Sequence, residues 1–460
     1  MTTYSTILDR IQTRRAQVGI IGLGYVGLPL AMTFCAAGFE VTGFDVDREK
    51  IRLLHAGTSY IRHFNAQELP RVIASQQLRP THDFSQLSGM DAILICVPTP
   101  LDNKRQPDLG AVEATVKQIA QNIRPGQLII LESTTYPGTT DEIVVPLLET
   151  AGVVCRERAK AFAAAARSTT SSESAVPDRR VYVAYSPERE DPGNAHFTTR
   201  MIPKVVGGLD QQSSELAQAL YATAFERVVP VSSARAAEMT KILENTYRCV
   251  NIALVNELNQ LCRRMGLDIY EIIQAAATKP FGFQPFYPGP GMGGHCIPID
   301  PFYLSWKARD YDFTTRFIEL AGEINVEMPY RVVEAISSAL NFRKLAVNQS
   351  KILILGIAYK KNIDDLRESP ALKVIDLLHR RGALISYHDP FCPQLRPHHD
   401  FQHTYDSVAF TPANAADYDC VVVMTDHDGL DYRGITQHAR LLVDTRNATH
   451  SLQADNVVHF

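Results

Sequence analysis

The segment from Val18 to Asp45, opening with Val18-Gly-Ile-Ile-Gly-Leu-Gly-Tyr-Val-Gly27, constrains this chain more than any other. A short apolar run ends in Gly22-x-Gly24-x-x-Gly27. Pro29 to Ala37 then reads as a helix, Gly38 as its stop, and Glu40–Asp45 as a strand ending in an acid. Strand, glycine turn, helix, strand, acid is the start of a dinucleotide-binding α/β sheet. Gly22 permits the tight turn, Gly24 lets a pyrophosphate approach, and Gly27 lets helix pack on strand. The helix N-terminus faces the phosphates. Tyr25 and Val26 lie in the same turn and count with the glycines as cofactor contacts. Asp45 is expected to accept from the adenosine ribose hydroxyls and to repel a 2′-phosphate, so NAD is expected rather than NADP.

Further strands of this kind lie downstream. Asp91–Pro98 ends in Val97-Pro-Thr-Pro100, Gln127–Glu132 in Ser133-Thr-Thr-Tyr-Pro-Gly-Thr-Thr140, and Val181–Tyr185 in Ser186-Pro-Glu-Arg-Glu-Asp191. Ligands of open α/β sheets lie beyond the carboxyl ends of strands, which places Thr99 and Thr134 at the cofactor crevice. Arg156–Arg180, with its alanine and serine runs, reads as a surface insertion without chemistry. Ala234–Met265 is one long helical pattern on which Ala237, Lys241, Glu244, Asn245 and Arg248 share roughly one face. Thr314–Asn341 is also helical. Lys351–Gly356 opens a second α/β unit without GxGxxG, with Ser369 as a helix N-cap, Pro370 at the first helical position and Gly382 as the stop. Lys360, Lys361 and Arg367 beside that helix start could hold a phosphate other than the cofactor's.

Gly289-Pro-Gly-Met-Gly-Gly-His-Cys-Ile-Pro-Ile-Asp-Pro301 gathers four glycines before Cys296, and Asp300 stands four residues beyond it. A thiol on such a loop near a carboxylate has the makings of a nucleophile and its base. His295-Cys296 offers no ligand spacing for a metal, and none is expected. A net charge of -4 leaves no basic footprint for nucleic acid. The apolar runs are strand-sized, Met1–Arg15 lacks the apolar core of a secretion signal, and the eight cysteines show no CxxC. Reduced thiols, a cytoplasmic location and no membrane are the expectation.

These motifs resemble the nucleotide-sugar 6-dehydrogenases, which oxidise UDP-glucose, UDP-N-acetylglucosamine or UDP-N-acetylmannosamine. The resemblance runs from Val18 to about Asn447, apart from the insertion. It rests on the glycine turn, Ser133–Gly138, Ser186-Pro-Glu188, Glu238–Asn245, Gly293-Gly-His-Cys296, and Tyr359-Lys-Lys-Asn362 with Arg367-Glu-Ser369. It implies an NAD-binding Rossmann domain over 1–215, with a flexible insertion about 156–180. A central helical domain over 216–342 would carry the cysteine loop and the dimer surface, and a UDP-sugar-binding α/β domain would span 343–460. The reaction implied is two NAD-dependent oxidations at C6, through a thiohemiacetal and a thioester on Cys296, supplying surface-polysaccharide precursors.

By the same resemblance, Lys241 and Asn245 stabilise oxygen charge, Asp300 belongs to the base or water network, and Glu188 serves thioester hydrolysis. Thr134 lies beside cofactor and water. Gly293, Lys360 and Arg446 join Glu188, Lys241 and Asn245 in holding the substrate. The chain departs from UDP-glucose enzymes in three places. Ile299 stands where they carry Lys, Phe281-Gly-Phe-Gln-Pro-Phe-Tyr287 lacks their Arg, and either Glu190 or Asp191 answers to their second carboxylate. Phe281–Pro301 looks most like the UDP-N-acetylglucosamine enzymes, and an aromatic loop accommodates an acetamido methyl better than a cationic one. UDP-glucose or UDP-N-acetylmannosamine oxidation is the nearest alternative, and a non-catalytic NAD- and UDP-sugar-binding regulator is the rival of another class.

Overall fold

The computed structural model describes residues 3–61, 67–102, 106–156, 179–189, 198–294, 297–397, 401–452 and 454–460. They form two compact units, Met1–Leu243 and Glu244–Phe460. The expected insertion therefore lies almost wholly outside the described residues, as do His295, Cys296, Glu190 and Asp191.

The first unit is built on β1 (Gln17–Ile21), β2 (Glu40–Phe44), β3 (Leu78–Thr81), β4 (Ala92–Ile95), β5 (Leu128–Leu131), β6 (Tyr182–Tyr185), β7 (Lys204–Gly208) and β8 (Val228–Pro230). They pair in the order β3-β2-β1-β4-β5-β6-β7-β8. Pairing is parallel from β3 through β6, and β7 runs antiparallel to β6. Successive residues face opposite sides of a sheet. Leu94 and Ile130 join one core layer and Ile93, Ile95, Ile129 and Leu131 the other. Both faces are covered, which is why these strands read as unbroken apolar runs. The chain order reverses between β1 and β4, so the crevice at their carboxyl ends is the switch point where ligands of such sheets bind.

The second unit carries β9 (Lys351–Leu355), β10 (Leu384–His388), the two-residue pair β11 (Gln394–Leu395) and β12 (Tyr405–Asp406), then β13 (Cys420–Val423), β14 (Leu442–Asp444) and β15 (Val457–His459). The main sheet is all parallel in the order β10-β9-β13-β14-β15. Its switch point lies between β9 and β13. Here too Ile352, Ile354 and Val422 face one layer while Leu353, Leu355, Val421 and Val423 face the other.

The long helix is Ala234–Met265, as the sequence predicts, and a second runs Arg316–Phe342. The glycine-turn helix, Gly27–Ala36, starts two residues before the expected Pro29. Ser369 occupies the N-cap position of Pro370–Arg380, but its hydroxyl makes no cap bond and is buried without a partner. The Leu372 N–H that it would accept goes to the Ser369 carbonyl at 3.1 Å. The sequence pattern does not announce strands β3, β7, β8 and β15. Each is short or begins on a polar residue, which hides the apolar pattern.

Candidate active site

The glycine turn fits a dinucleotide by what surrounds each glycine. A Cβ on Gly22 would lie 2.5 Å from the Cys96 carbonyl, and one on Gly27 would lie 1.8 Å from the Gly22 carbonyl. Nothing lies within 4 Å of a Cβ on Gly24, so this backbone is open to a ligand. Asp45, buried just past β2, accepts from Leu23 N–H through Oδ2 and from Asp47 N–H through Oδ1, both at 2.9 Å. Lys50 Nζ stands 3.4 Å from the same carboxylate. A carboxylate offers about four acceptor sites, so capacity remains for a ribose hydroxyl. Tyr25 and Val26 are half-buried in this turn.

The loops after β4 and β5 are laced together. Thr99 donates to the Thr134 carbonyl and Ser133 to the Val97 carbonyl, each at 2.7 Å. The Thr99 hydroxyl proton is therefore committed to holding the loop, and Thr134 sits half-buried beside it. Glu238 on the long helix grips the end of this segment. Its carboxylate accepts from Gly138 N–H at 2.5 Å, Thr140 N–H at 2.9 Å and the Thr140 hydroxyl at 2.7 Å. Burial raises its pKa to about 7, against the pull of those donors. One turn further along, Lys241 is only 8% exposed, and its ammonium makes no hydrogen bond or ion pair with a described residue. The shared face foreseen for this helix is graded: Ala237 and Lys241 are buried, Glu244 and Asn245 half-buried, and Arg248 exposed.

Glu188, beyond β6, is half-buried. Its Oε2 is 3.2 Å from Lys204 Nζ, and its Oε1 accepts from Arg189 N–H at 2.7 Å. Lys204 also reaches Glu132 Oε2 at 2.5 Å. Sequence reasoning missed Lys204 and Glu132, because each reads as the polar end of an apolar strand.

In the second unit Asn245 Nδ2 donates to Asp300 Oδ2. Asp300 opens the helix Asp300–Ala308 and is buried. The glycines before Cys296 admit protein. A Cβ on Gly293 would lie 2.5 Å from Tyr359 Cβ, and one on Gly289 would lie 2.9 Å from Arg446 Nη1. Gly294 N–H also donates to the Arg367 carbonyl at 2.9 Å, so the loop is seated on the C-terminal sheet's turns. Arg446 donates from Nε to the Met424 carbonyl at 2.8 Å. Burial lowers its pKa, and Asp426, Tyr270 and Asp444 oppose that. Lys360 is half-buried, whereas Lys361 is exposed and paired with Asp428 at 2.8 Å. Arg367 is drawn to Asp365 at 2.6 Å. Among the described residues no group of three or more His, Cys, Asp or Glu could hold a metal, and no helix is long and apolar enough to cross a membrane.

Family models match along the chain: the NAD binding domain of the UDP-glucose/GDP-mannose dehydrogenase family over residues 16–225, its central domain over 235–327 and its UDP binding domain over 353–451. A UDP-N-acetyl-D-mannosamine dehydrogenase of Methanococcus vannielii is 32% identical, over 94% of this chain and 92% of its own. A UDP-N-acetyl-D-glucosamine 6-dehydrogenase of Pseudomonas aeruginosa is also 32% identical, over 89% and 90%. The solved structure of a UDP-D-ManNAc dehydrogenase from Pyrococcus horikoshii superposes with a TM-score of 0.83 at 30% identity, covering 96% of this chain and 98% of its own. With its NAD-binding sheet, helical centre and UDP-binding sheet, the chain belongs to the UDP-glucose/GDP-mannose dehydrogenase family.

Proposed function

We propose that the chain oxidises C6 of a UDP-linked 2-acetamido-2-deoxyhexose, UDP-N-acetylglucosamine first, to the uronic acid for surface-polysaccharide precursors. The observation that carries this reading is the bond from Asn245 to buried Asp300, four residues past Cys296, with Asn245 one helical turn from buried Lys241. NAD supplies the hydride acceptor. Lys241 and Asn245 offer N–H groups to the oxygen whose charge develops. The C6 alcohol loses a hydride, and its proton passes to the base and water network to which Asp300 belongs. The Cys296 thiolate adds to the aldehyde, the thiohemiacetal loses a second hydride and proton, and water releases the acid. Glu188 takes the proton of that water, and Thr134 lies at the cofactor and water side. Lys360 and Arg446 hold the UDP end, with Gly293 in the loop beside them.

The choice of sugar is supported by Ile299, which is buried and apolar just before Asp300, and by the exposed aromatics Phe281 and Phe283. A relative bearing the mannosamine name matches at the same 32% identity and over more of the chain, so UDP-N-acetylmannosamine is the second reading. The test is NADH formed per sugar with UDP-N-acetylglucosamine, UDP-N-acetylmannosamine and UDP-glucose. Two NADH per UDP-N-acetylglucosamine, at the highest kcat/KM of the panel, is expected. Preference for UDP-glucose would remove the acetamido reading, and no NADH with any sugar would favour a non-catalytic binder.

The proposal includes a homodimer in the cytoplasm. Leu243, Tyr247, Leu254, Leu258, Leu261 and Met265 are all exposed at helical spacing on Ala234–Met265. Such a stripe needs a partner. Light scattering showing only monomer at micromolar concentration would refute it.

A further inference from the structure

A cluster of buried charge lies behind Glu188. Extending the antiparallel register Ala184↔Gly208, Tyr185↔Gly207 places Glu188 directly opposite Lys204. The reversal of β7 is therefore what brings the start of one strand to the carboxyl end of its neighbour. The Lys204 side chain is 3% exposed and that of Glu132 is fully buried. Tyr221 donates its hydroxyl to Glu132 Oε1. Lys204 Nζ also lies over the rings of Tyr221 and Phe225, 5.3 Å and 5.6 Å from their centroids.

We propose that Lys204 is a positioning residue for Glu188: its ammonium, 3.2 Å from Oε2, aims that carboxylate, while Glu132 and Tyr221 anchor the ammonium from behind. The inference rests on the proposed role of Glu188 in thioester hydrolysis. There, water oxygen bonds to the thioester carbon, Glu188 takes the water's proton, the C–S bond breaks, and the Cys296 thiolate leaves.

A buried lysine without partners would lose its charge. Burial acts that way on Lys204, but Glu132 and Glu188 outweigh it and raise its pKa. Burial raises the pKa of Glu132, and Lys204 opposes the rise. The other titratable groups facing the cluster are Cys96 past β4 and Tyr221 on the helix Gln211–Ala222, both pushed well up by burial. The Arg189 guanidinium turns to the Pro203 carbonyl at 2.8 Å, leaving its backbone N–H to fix Glu188 Oε1. Glu188 sits at the rim of the cluster, with its side chain 14% exposed, where a water can reach it.

Two variants of the full chain test this. Glu132→Gln keeps the shape and removes one negative charge, so Lys204 is left with a single carboxylate. The acid limb of the kcat profile should then move down by about one pH unit, with KM for NAD and UDP-sugar unchanged. Lys204→Met with Glu132→Gln removes the pair without stranding a charge. Its kcat should fall about 100-fold with KM within about 2-fold, and intact mass should show acylated enzyme accumulating. Lys204→Arg should recover part of the rate. An unmoved acid limb in Glu132→Gln, or a double variant with wild-type kcat, overturns the proposal. If the double variant does not fold, the Glu132→Gln profile decides alone. Glu188→Gln separates the two readings. Wild-type turnover there removes the role of Glu188 itself, whereas slow turnover with an unaffected double variant removes only that of Lys204.

Discussion

In the N-terminal sheet, Asp45 lies just past β2 and accepts from the N–H of Leu23, in the loop after β1. In the C-terminal sheet, Asp389 lies just past β10 and accepts from the N–H groups of Ile357 and Ala358, in the loop after β9, at 2.7 Å and 3.1 Å. The address is the same: an acid ending the second strand holds the loop that ends the first. The use differs. Asp389 also accepts from Phe391 and Cys392 N–H at 2.8 Å and 3.0 Å and from His427 Nε2 at 3.1 Å. His427 is fully buried and its Nδ1 accepts from Asn362 N–H at 2.9 Å, which fixes the Nε2–H tautomer. The C-terminal acid is spent on the protein, and the N-terminal acid keeps acceptor capacity for a ligand. An acid at a strand end can serve a ligand only when the backbone leaves it something to accept.

The sharpest way to break this comparison is to remove both acids. Asp389→Ala strands buried donors on four residues of backbone and on His427. It should destabilise the second unit by about 4 kcal/mol or more, read as a fall in denaturation midpoint. A loss under about 1 kcal/mol would mean that the brace is ornamental.

The two units should also respond to pH in opposite directions. Burial raises the Glu238 pKa to about 7 from an ordinary 4.5, so its contribution is present below pH 4.5 and is lost as pH rises through 7. Linkage makes that loss about 3 kcal/mol. For Asp389 burial acts upward, but the His427 bond and backbone amides outweigh it and lower the pKa below 3.8. Its contribution is present above pH 3.8 and fades as pH falls further. Denaturation from pH 3 to 8 should show first-unit stability falling between 4.5 and 7 in the wild type and flat there in Glu238→Gln. A matching slope in both proteins would assign the effect elsewhere.

Asp45→Ala should cost about 1–2 kcal/mol of stability, less than its counterpart, since fewer donors are stranded. Its main effect should be a raised KM for NAD with weakened discrimination against NADP. Unchanged kinetics with both cofactors would take Asp45 out of the cofactor site. The smallest stability effect is expected at Gly24→Ala, within about 0.5 kcal/mol, because its Cβ meets nothing within 4 Å. Cofactor affinity should nonetheless drop. Gly356→Ala in the other sheet is the contrast: φ is 76° and its Cβ would lie 2.4 Å from the Thr425 carbonyl, so stability itself should fail.

Much of the fold is legible in the sequence because its signals are local. The helix Ala234–Met265 and the stops at Gly38 and Gly382, both at positive φ, come from periodicity and punctuation within a turn or two. The apolar runs of β4, β5, β9 and β13 are readable because both faces of each sheet are covered. The candidate site is less legible. Lys241 and Asn245 share a helix, so their spacing can be read directly. The Asn245–Asp300 bond joins residues 55 apart in sequence. The glycines of the Cys296 loop accommodate Tyr359 and Arg446, contacts that nothing local in the sequence announces.

By itself the sequence determined the parts that short-range geometry dictates: the glycine turn with Asp45, the strand and helix periods, and the residue types at the chemical positions. Only the tertiary structure decided which of two strand-end acids is available, that Lys204 lies between Glu132 and Glu188, and that Glu238 grips the Gly138–Thr140 segment. The reason is one of range. A turn or a helix face is set by dihedral angles over a few residues. A buried charge depends on strand order, and here on the reversed β7, which makes neighbours of residues 16 and 72 positions apart.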